Sequence, residues 1–147
     1  MGSDDEAGVE LLSESWRKLI RYYNWHYTII LEKKLGGITS LELGILDQIS
    51  RKQGTMIKEI KKKLHVTGST LTAAVDRLNE RGYLERVIST RDRRSFNLKV
   101  TVEGKKVHDR FLTMEREFLK KLLSTQKTPE ARKGFVSMLH TAALRIA

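Results

Sequence analysis

Three arginines gathered around one aspartate, Arg91-Asp92-Arg93-Arg94, are the most chemically pointed stretch of the chain. Guanidinium groups at that density repel one another and add little to a fold. A narrow minor groove of duplex nucleic acid, with its enhanced negative potential, would offset that repulsion. Asp92 can hold one arginine in a bidentate pair and so fix its aim. The plain alternative is an exposed loop made basic for solubility. Upstream, Thr67, Ser69, Thr70, Thr72, Ala73 and Arg77 share a segment whose apolar residues, Leu71, Val75 and Leu78, mark the opposite side. Small hydroxyls near a helix start can reach phosphates or base edges, and Thr and Ala methyls can touch thymine methyls. The helix N-terminus itself favours phosphate. Arg77 is open between a base or phosphate contact and a local pair with Asp76 or Glu80.

The charge is concentrated where these residues lie. The 147-residue chain has 28 Lys plus Arg against 18 Asp plus Glu, a net charge of +10. Residues 51–110 hold 16 basic and 7 acidic side chains, whereas the rest is close to neutral. That is an electrostatic footprint for a polyanion, double-stranded DNA above all. The absence of cysteine excludes a disulfide framework, thiolate metal sites and thiol redox sensing. No run approaches ~18 uncharged apolar residues, so no membrane span is expected. The acidic start, Met1 to Glu6, lacks the apolar core of a secretory signal. The expectation is a soluble cytoplasmic protein.

The elements that must position these groups follow from periodicity. Leu12, Trp16, Leu19, Ile20, Tyr23, Tyr27, Ile30 and Leu31 step by three and four along one long helix, which Gly36-Gly37 closes. Thr39 with Glu42 forms a capping box for a second helix running toward Gly54. A third helix is expected from Met56 to Leu64. A fourth, starting at Thr67 or Ser69, runs to Gly82, and the turn at His65-Val66 between them outlines a helix-turn-helix. The period then shortens: Tyr83 to Ile88 and Phe96 to Val100 read as two strands of a hairpin with the arginines at its tip. Helix resumes at Thr101, with Val107, Phe111, Met114, Phe118 and Leu122 on one face, and a last helix begins at Thr128-Pro129-Glu130. The predicted fold class is mainly α with a small β-hairpin, a winged helix-turn-helix at 38–100. Residues 1–37 and 101–147 form long terminal helices. These are too apolar on one side to stand alone, and they pair either with a second copy of the chain or with one another.

Val75-Asp76-Arg77-Leu78, Arg81-Gly82-Tyr83-Leu84, Glu85-Arg86, Asp92-Arg93-Arg94 and Thr101-Val102-Glu103-Gly104 together resemble the MarR family of transcription regulators. The likeness covers roughly Ile38 to Lys106. It implies a homodimer on a pseudopalindromic operator, acting as a repressor or regulator, with one helix in the major groove and the wing in the minor groove. The family's wing pattern of Asp, any residue, then Arg falls on Asp92 and Arg94. Arg94 is therefore assigned to the minor groove, with Arg91 and Arg93 on phosphates. The resemblance also implies an effector cleft for small molecules, often aromatic acids. Tyr22, Tyr23, His26, Tyr27 and Phe111 are its candidate walls, and Arg21 and Arg110 are candidate partners for an anion; the same stripe reads equally as core or dimer interface.

Other chemistries find little footing. The four histidines are scattered, and His108-Asp109 near Glu115 is a thin zinc set. No phosphate-cradling glycine loop or nucleophile–base arrangement is present, so neither an enzyme nor a cofactor is expected. The rivals are a winged-helix protein-interaction module and an architectural DNA binder without effector sensing.

Overall fold

Gly36 and Gly37 adopt φ values of +65° and +75°, and the first helix, α1 (Ser3–Lys33), ends just before them. The computed structural model describes residues 3–88 and 96–146. After α1 come α2 (Ser40–Arg51), β1 (Thr55–Met56), α3 (Ile57–Leu64), α4 (Gly68–Glu80), β2 (Leu84–Ile88), β3 (Phe96–Val100), α5 (Val102–Ser124) and α6 (Pro129–Ile146). Thr39, Thr67 and Thr101 each cap the helix that follows, accepting from the backbone N–H three residues on.

The sheet is antiparallel in the order β1-β3-β2. The hairpin pairs Leu84 with Val100 and Ile88 with Phe96. Its third strand adds to the sequence expectation: Met56, the N-cap of α3, also pairs with Asn97, while Thr55 pairs with Leu98. Two residues are too short to show an alternating pattern, and only the edge offered by β3 makes them a strand. α2 likewise stops at Arg51 rather than at Gly54. Between α3 and α4 the chain turns through His65, which takes the left-handed φ of +51° without being glycine.

The core lies beneath the helix-turn-helix. Ile45, Leu46 and Ile49 of α2, Ile60 of α3, Leu71, Val75 and Leu78 of α4, and Leu98 of β3 are fully buried in one cluster. Leu31 and Leu35 from the end of α1 and Val107 of α5 close it. At ~25 cal/mol per Å² of apolar surface removed from water, this continuous cluster fixes the relative positions of the three short helices and the sheet.

The terminal helices are a different matter. Of the α1 stripe, Leu31 is buried and Tyr23 and Tyr27 are half-buried, but Leu12 and Trp16 are 68% and 59% exposed. No residue of α6 is buried, and Met138, Leu139, Leu144 and Ile146 face outward. These large apolar side chains are left in contact with solvent.

The join between wing and α5 depends on one glycine. A Cβ at Gly104 would sit 1.9 Å from the carbonyl oxygen of Tyr83. That oxygen accepts from the Thr101 N–H at 3.1 Å, and the Thr101 hydroxyl donates to the Gly82 carbonyl at 2.6 Å. No rotamer change can relieve a clash with backbone, so the whole α5 start would have to move. Gly104→Ala should lower stability by about 1–3 kcal/mol, read as a fall in the urea midpoint; an unchanged midpoint would show that the wing and α5 are not packed this closely.

Candidate nucleic-acid interface

The exposed side of α4 carries the residues singled out for recognition. Thr67, Ser69, Thr70, Thr72, Ala73 and Arg77 are all exposed, while Leu71, Ala74, Val75 and Leu78 are buried behind them. The division follows from helix geometry, since residues three and four apart share a face. At the helix start the Thr67 hydroxyl lies 2.7 Å from that of Thr70 and 3.2 Å from that of Ser69, and it accepts from the Thr70 N–H at 3.3 Å. Three hydroxyls are thereby held in one small cluster at the positive end of a helix.

Arg77 pairs with neither Asp76 nor Glu80. Its Nε donates to Oε1 of Glu42 at 2.7 Å, and the Glu42 side chain is only 2% exposed. Glu42 Oε2 also accepts from the Thr39 N–H at 2.8 Å, completing the capping box of α2. One carboxylate thus ties the start of α2 to the recognition helix. Burial pushes the Glu42 carboxyl up, but the hydrogen bonds from Thr39 and Arg77 outweigh it and hold the pKa below the usual carboxylate range. The guanidinium is half exposed, so its remaining donors are accessible from the α4 surface.

Two further pairs fix the region. Asp76 pairs with Arg86 of β2, linking the recognition helix to the hairpin. Arg81 donates through Nη2 to the Gly36 carbonyl at 2.8 Å and lies 4.8 Å from the Tyr83 ring centroid, linking the end of α4 to the turn after α1. Sequence reasoning did not assign these roles to Glu42, Arg81 or Arg86. The Glu42 cap was visible as Thr39-x-x-Glu42, but nothing local signals a partner 35 residues away. The wing residues Arg91, Asp92, Arg93 and Arg94 lie outside the described residues.

The second candidate site lies between α1 and α5. Tyr23, His26, Tyr27, Phe111, Met114, Glu115 and Phe118 line one hollow. Tyr23 and Tyr27 have ring centroids 4.9 Å apart, Tyr27 stands edge-on to Phe111 at 5.5 Å, and Tyr23 meets Phe118 at 5.1 Å. Tyr22 does not line the hollow; it stacks on His26 at 4.0 Å, and its hydroxyl accepts from Lys121 at 2.7 Å. Burial, then the nearby Tyr27 and Glu115, push the Tyr23 phenol up to about 12, so it keeps its proton at neutral pH. Arg21 and Arg110 do not reach this space. Each borders a separate hollow, Arg21 with Trp25 and Ile29, Arg110 with Lys34 and Glu117. The thin zinc set is not assembled either: the His108 Nε2 lies 3.3 Å from Asp47 Oδ1, whereas Glu115 borders the aromatic hollow. No cluster of three or more metal-ligand side chains occurs among the described residues.

A helical body carrying a helix-turn-helix and a small antiparallel wing sheet defines the winged helix-turn-helix class. Residues 38–96 match the family model described as MarR family. The chain is 27% identical over 88 residues to the HTH-type transcriptional repressor MdtR of Bacillus subtilis (strain 168), covering 60% of this chain and 57% of MdtR. It is 35% identical over 74 residues to the HTH-type transcriptional regulator PecS of Dickeya dadantii (strain 3937), covering 48% of this chain and 45% of PecS. The match thus spans about half the length of these curated relatives. The crystal structure of Streptococcus pneumoniae FabT in complex with DNA shares the fold, with a TM-score of 0.82 at 21% identity over 94% of this chain and 96% of that one.

The Glu42 linkage has a definite sign in pH. Its folded-state pKa lies below the unfolded value of roughly 4.3, so its contribution is complete above that value and is lost as pH falls through the folded pKa. Glu42→Gln should therefore lower stability at pH 7 by about 1–3 kcal/mol and flatten the acid limb of stability against pH. Urea titrations between about pH 3 and 7 check this; parallel curves for the two proteins would remove Glu42 from the account.

Proposed function

We propose that the chain is a sequence-specific double-stranded DNA-binding transcription regulator, working as a repressor and as a homodimer on a pseudopalindromic operator. The observation that carries this reading is the exposed row from Thr67 to Arg77 on a helix buttressed from three sides, set within the strongly basic span 51–110. In this reading α4 lies in the major groove, with its small hydroxyls on phosphates and base edges. The wing arginines enter the neighbouring minor groove, Arg94 leading and Asp92 orienting it. MdtR is described as a repressor, and FabT has been crystallised with DNA; both support the reading.

The exposed apolar faces of α1 and α6 support a dimer. A second copy covering Leu12, Trp16, Leu139 and Leu144 would remove surface that is otherwise unfavourable in water. Two recognition helices would then stand one DNA turn apart, ~34–36 Å. The aromatic hollow is walled by α1 and α5, which flank the winged module in sequence. A ligand there would act by favouring one helix spacing over another. No helix among the described residues is long and apolar enough to cross a membrane.

Arg94→Ala should weaken binding to operator DNA by about 1–3 kcal/mol, roughly five- to 150-fold, and the logarithm of affinity should fall linearly with the logarithm of salt concentration. Fluorescence anisotropy at several salt concentrations measures both, and a salt-independent affinity would contradict phosphate contact. Sedimentation equilibrium should give twice the 16.9 kDa chain mass. Leu139→Glu should shift the protein toward the monomer and weaken operator binding with it; a monomeric parent chain that binds operator at full strength would overturn the dimer.

A further inference from the structure

The hollow between α1 and α5 has an electrostatic character opposite to the one the sequence suggested. Its one carboxylate, Glu115, is half-buried among aromatic rings and makes no hydrogen bond or ion pair with any described residue. Neither a lysine nor an arginine lines the space. A carboxylate with no hydrogen-bonding partner among the described residues leaves its acceptor oxygens open to a donor from outside. The one histidine of the lining points the same way. His26 Nδ1 lies 3.1 Å from the Tyr22 carbonyl oxygen. A carbonyl can only accept, so Nδ1 carries the hydrogen, and in the neutral ring Nε2 is left as an acceptor. The walls are π faces and edges of Tyr23, Tyr27, Phe111 and Phe118, which attract positive charge and not negative. The chain already uses this attraction nearby, where Lys121 Nζ stands 5.1 Å from the Tyr22 ring centroid.

From this arrangement we propose that the α1–α5 hollow binds a compact organic ammonium cation, with Glu115 as counter-charge and the aromatic rings as walls. The proposal rests on the reading of this hollow as the effector seat and narrows its ligand from an aromatic or anionic molecule to a cationic one. The free space between the rings is about 30 Å³, more than one water needs but less than a fused ring system. An ammonium headgroup therefore enters first, and the body of the ligand extends toward the open side. Arg21 and Arg110, the sequence candidates for an anion's partner, border other hollows.

Three probes of one shape and different charge test this on the full chain: benzylammonium, benzyl alcohol and benzoate, titrated by NMR with and without operator DNA. Benzylammonium should bind about tenfold more tightly than either of the others, shifting the resonances of Tyr23, Tyr27 and Phe111. Glu115→Gln should erase that preference while leaving benzyl alcohol unchanged. Phe111→Leu, which keeps an apolar wall but removes a π face, should weaken benzylammonium selectively and serves as the second variant. Benzoate binding as tightly as benzylammonium, or an unaltered preference in Glu115→Gln, would overturn the cation site while leaving the hollow available as an effector seat. Benzylammonium bound through Glu115 with no change in DNA affinity would support the cation site and remove the effector role instead. Binding of none of the three would overturn both.

Discussion

A charged carboxylate with almost no exposure is costly unless its oxygens are engaged, and each oxygen of Glu42 accepts one hydrogen bond, from groups on two helices. One oxygen closes the cap of α2 through the Thr39 N–H, and the other receives Arg77 from α4. Withdrawing Arg77 would leave a buried charge unpaired, and withdrawing the Thr39 N–H would leave one buried oxygen without a donor. The α4 helix is therefore held at a defined distance from α2 by geometry that tolerates little slack. Asp76 with Arg86 and Arg81 with the Gly36 carbonyl add two more ties, to the hairpin and to the end of α1. Apolar packing beneath α4 sets its depth, and the interdigitated side chains of a close-packed core hinder sliding and rotation. The directional bonds around its rim resist both.

The same logic explains the uneven burial. A helix-turn-helix with a three-stranded sheet supplies one small core, filled by residues from α2, α3, α4 and β3. That core has room for the end of α1 and the beginning of α5, and for nothing beyond them. The rest of α1 and all of α6 project from it with apolar faces uncovered. Long helices in this position act as levers, since a small rotation at the core becomes a larger displacement at their far ends. The aromatic hollow lies at the junction of one such helix, α1, with α5.

Much of the architecture was legible in the sequence because it depends on local rules. Thr39, Thr67 and Thr101 announce helix starts, Gly36-Gly37 and Gly82 announce stops, and the change from a period near four to a period of two announces the hairpin. The alternation of Leu71, Val75 and Leu78 with small hydroxyl residues separates the inner from the outer side of α4, whatever it packs against. β1 escaped because Thr55-Met56 has no pattern of its own and becomes a strand only through the edge of β3. Arg77 was ambiguous for a related reason: three acids lie within reach of a long side chain, and the one chosen is distant in sequence.

What the amino-acid order determined alone was the set of elements, the basic centre of the chain and the side of each helix that must be buried, because these follow from short-range sterics and from periodicity. The tertiary structure decided which charges meet. It placed Glu42 against Arg77 and Asp76 against Arg86, and it left Glu115 among aromatic rings without a counter-ion among the described residues while sending Arg21 and Arg110 elsewhere. Charge pairing acts over a few ångströms in space and is indifferent to separation along the chain, so no spacing rule could have specified it.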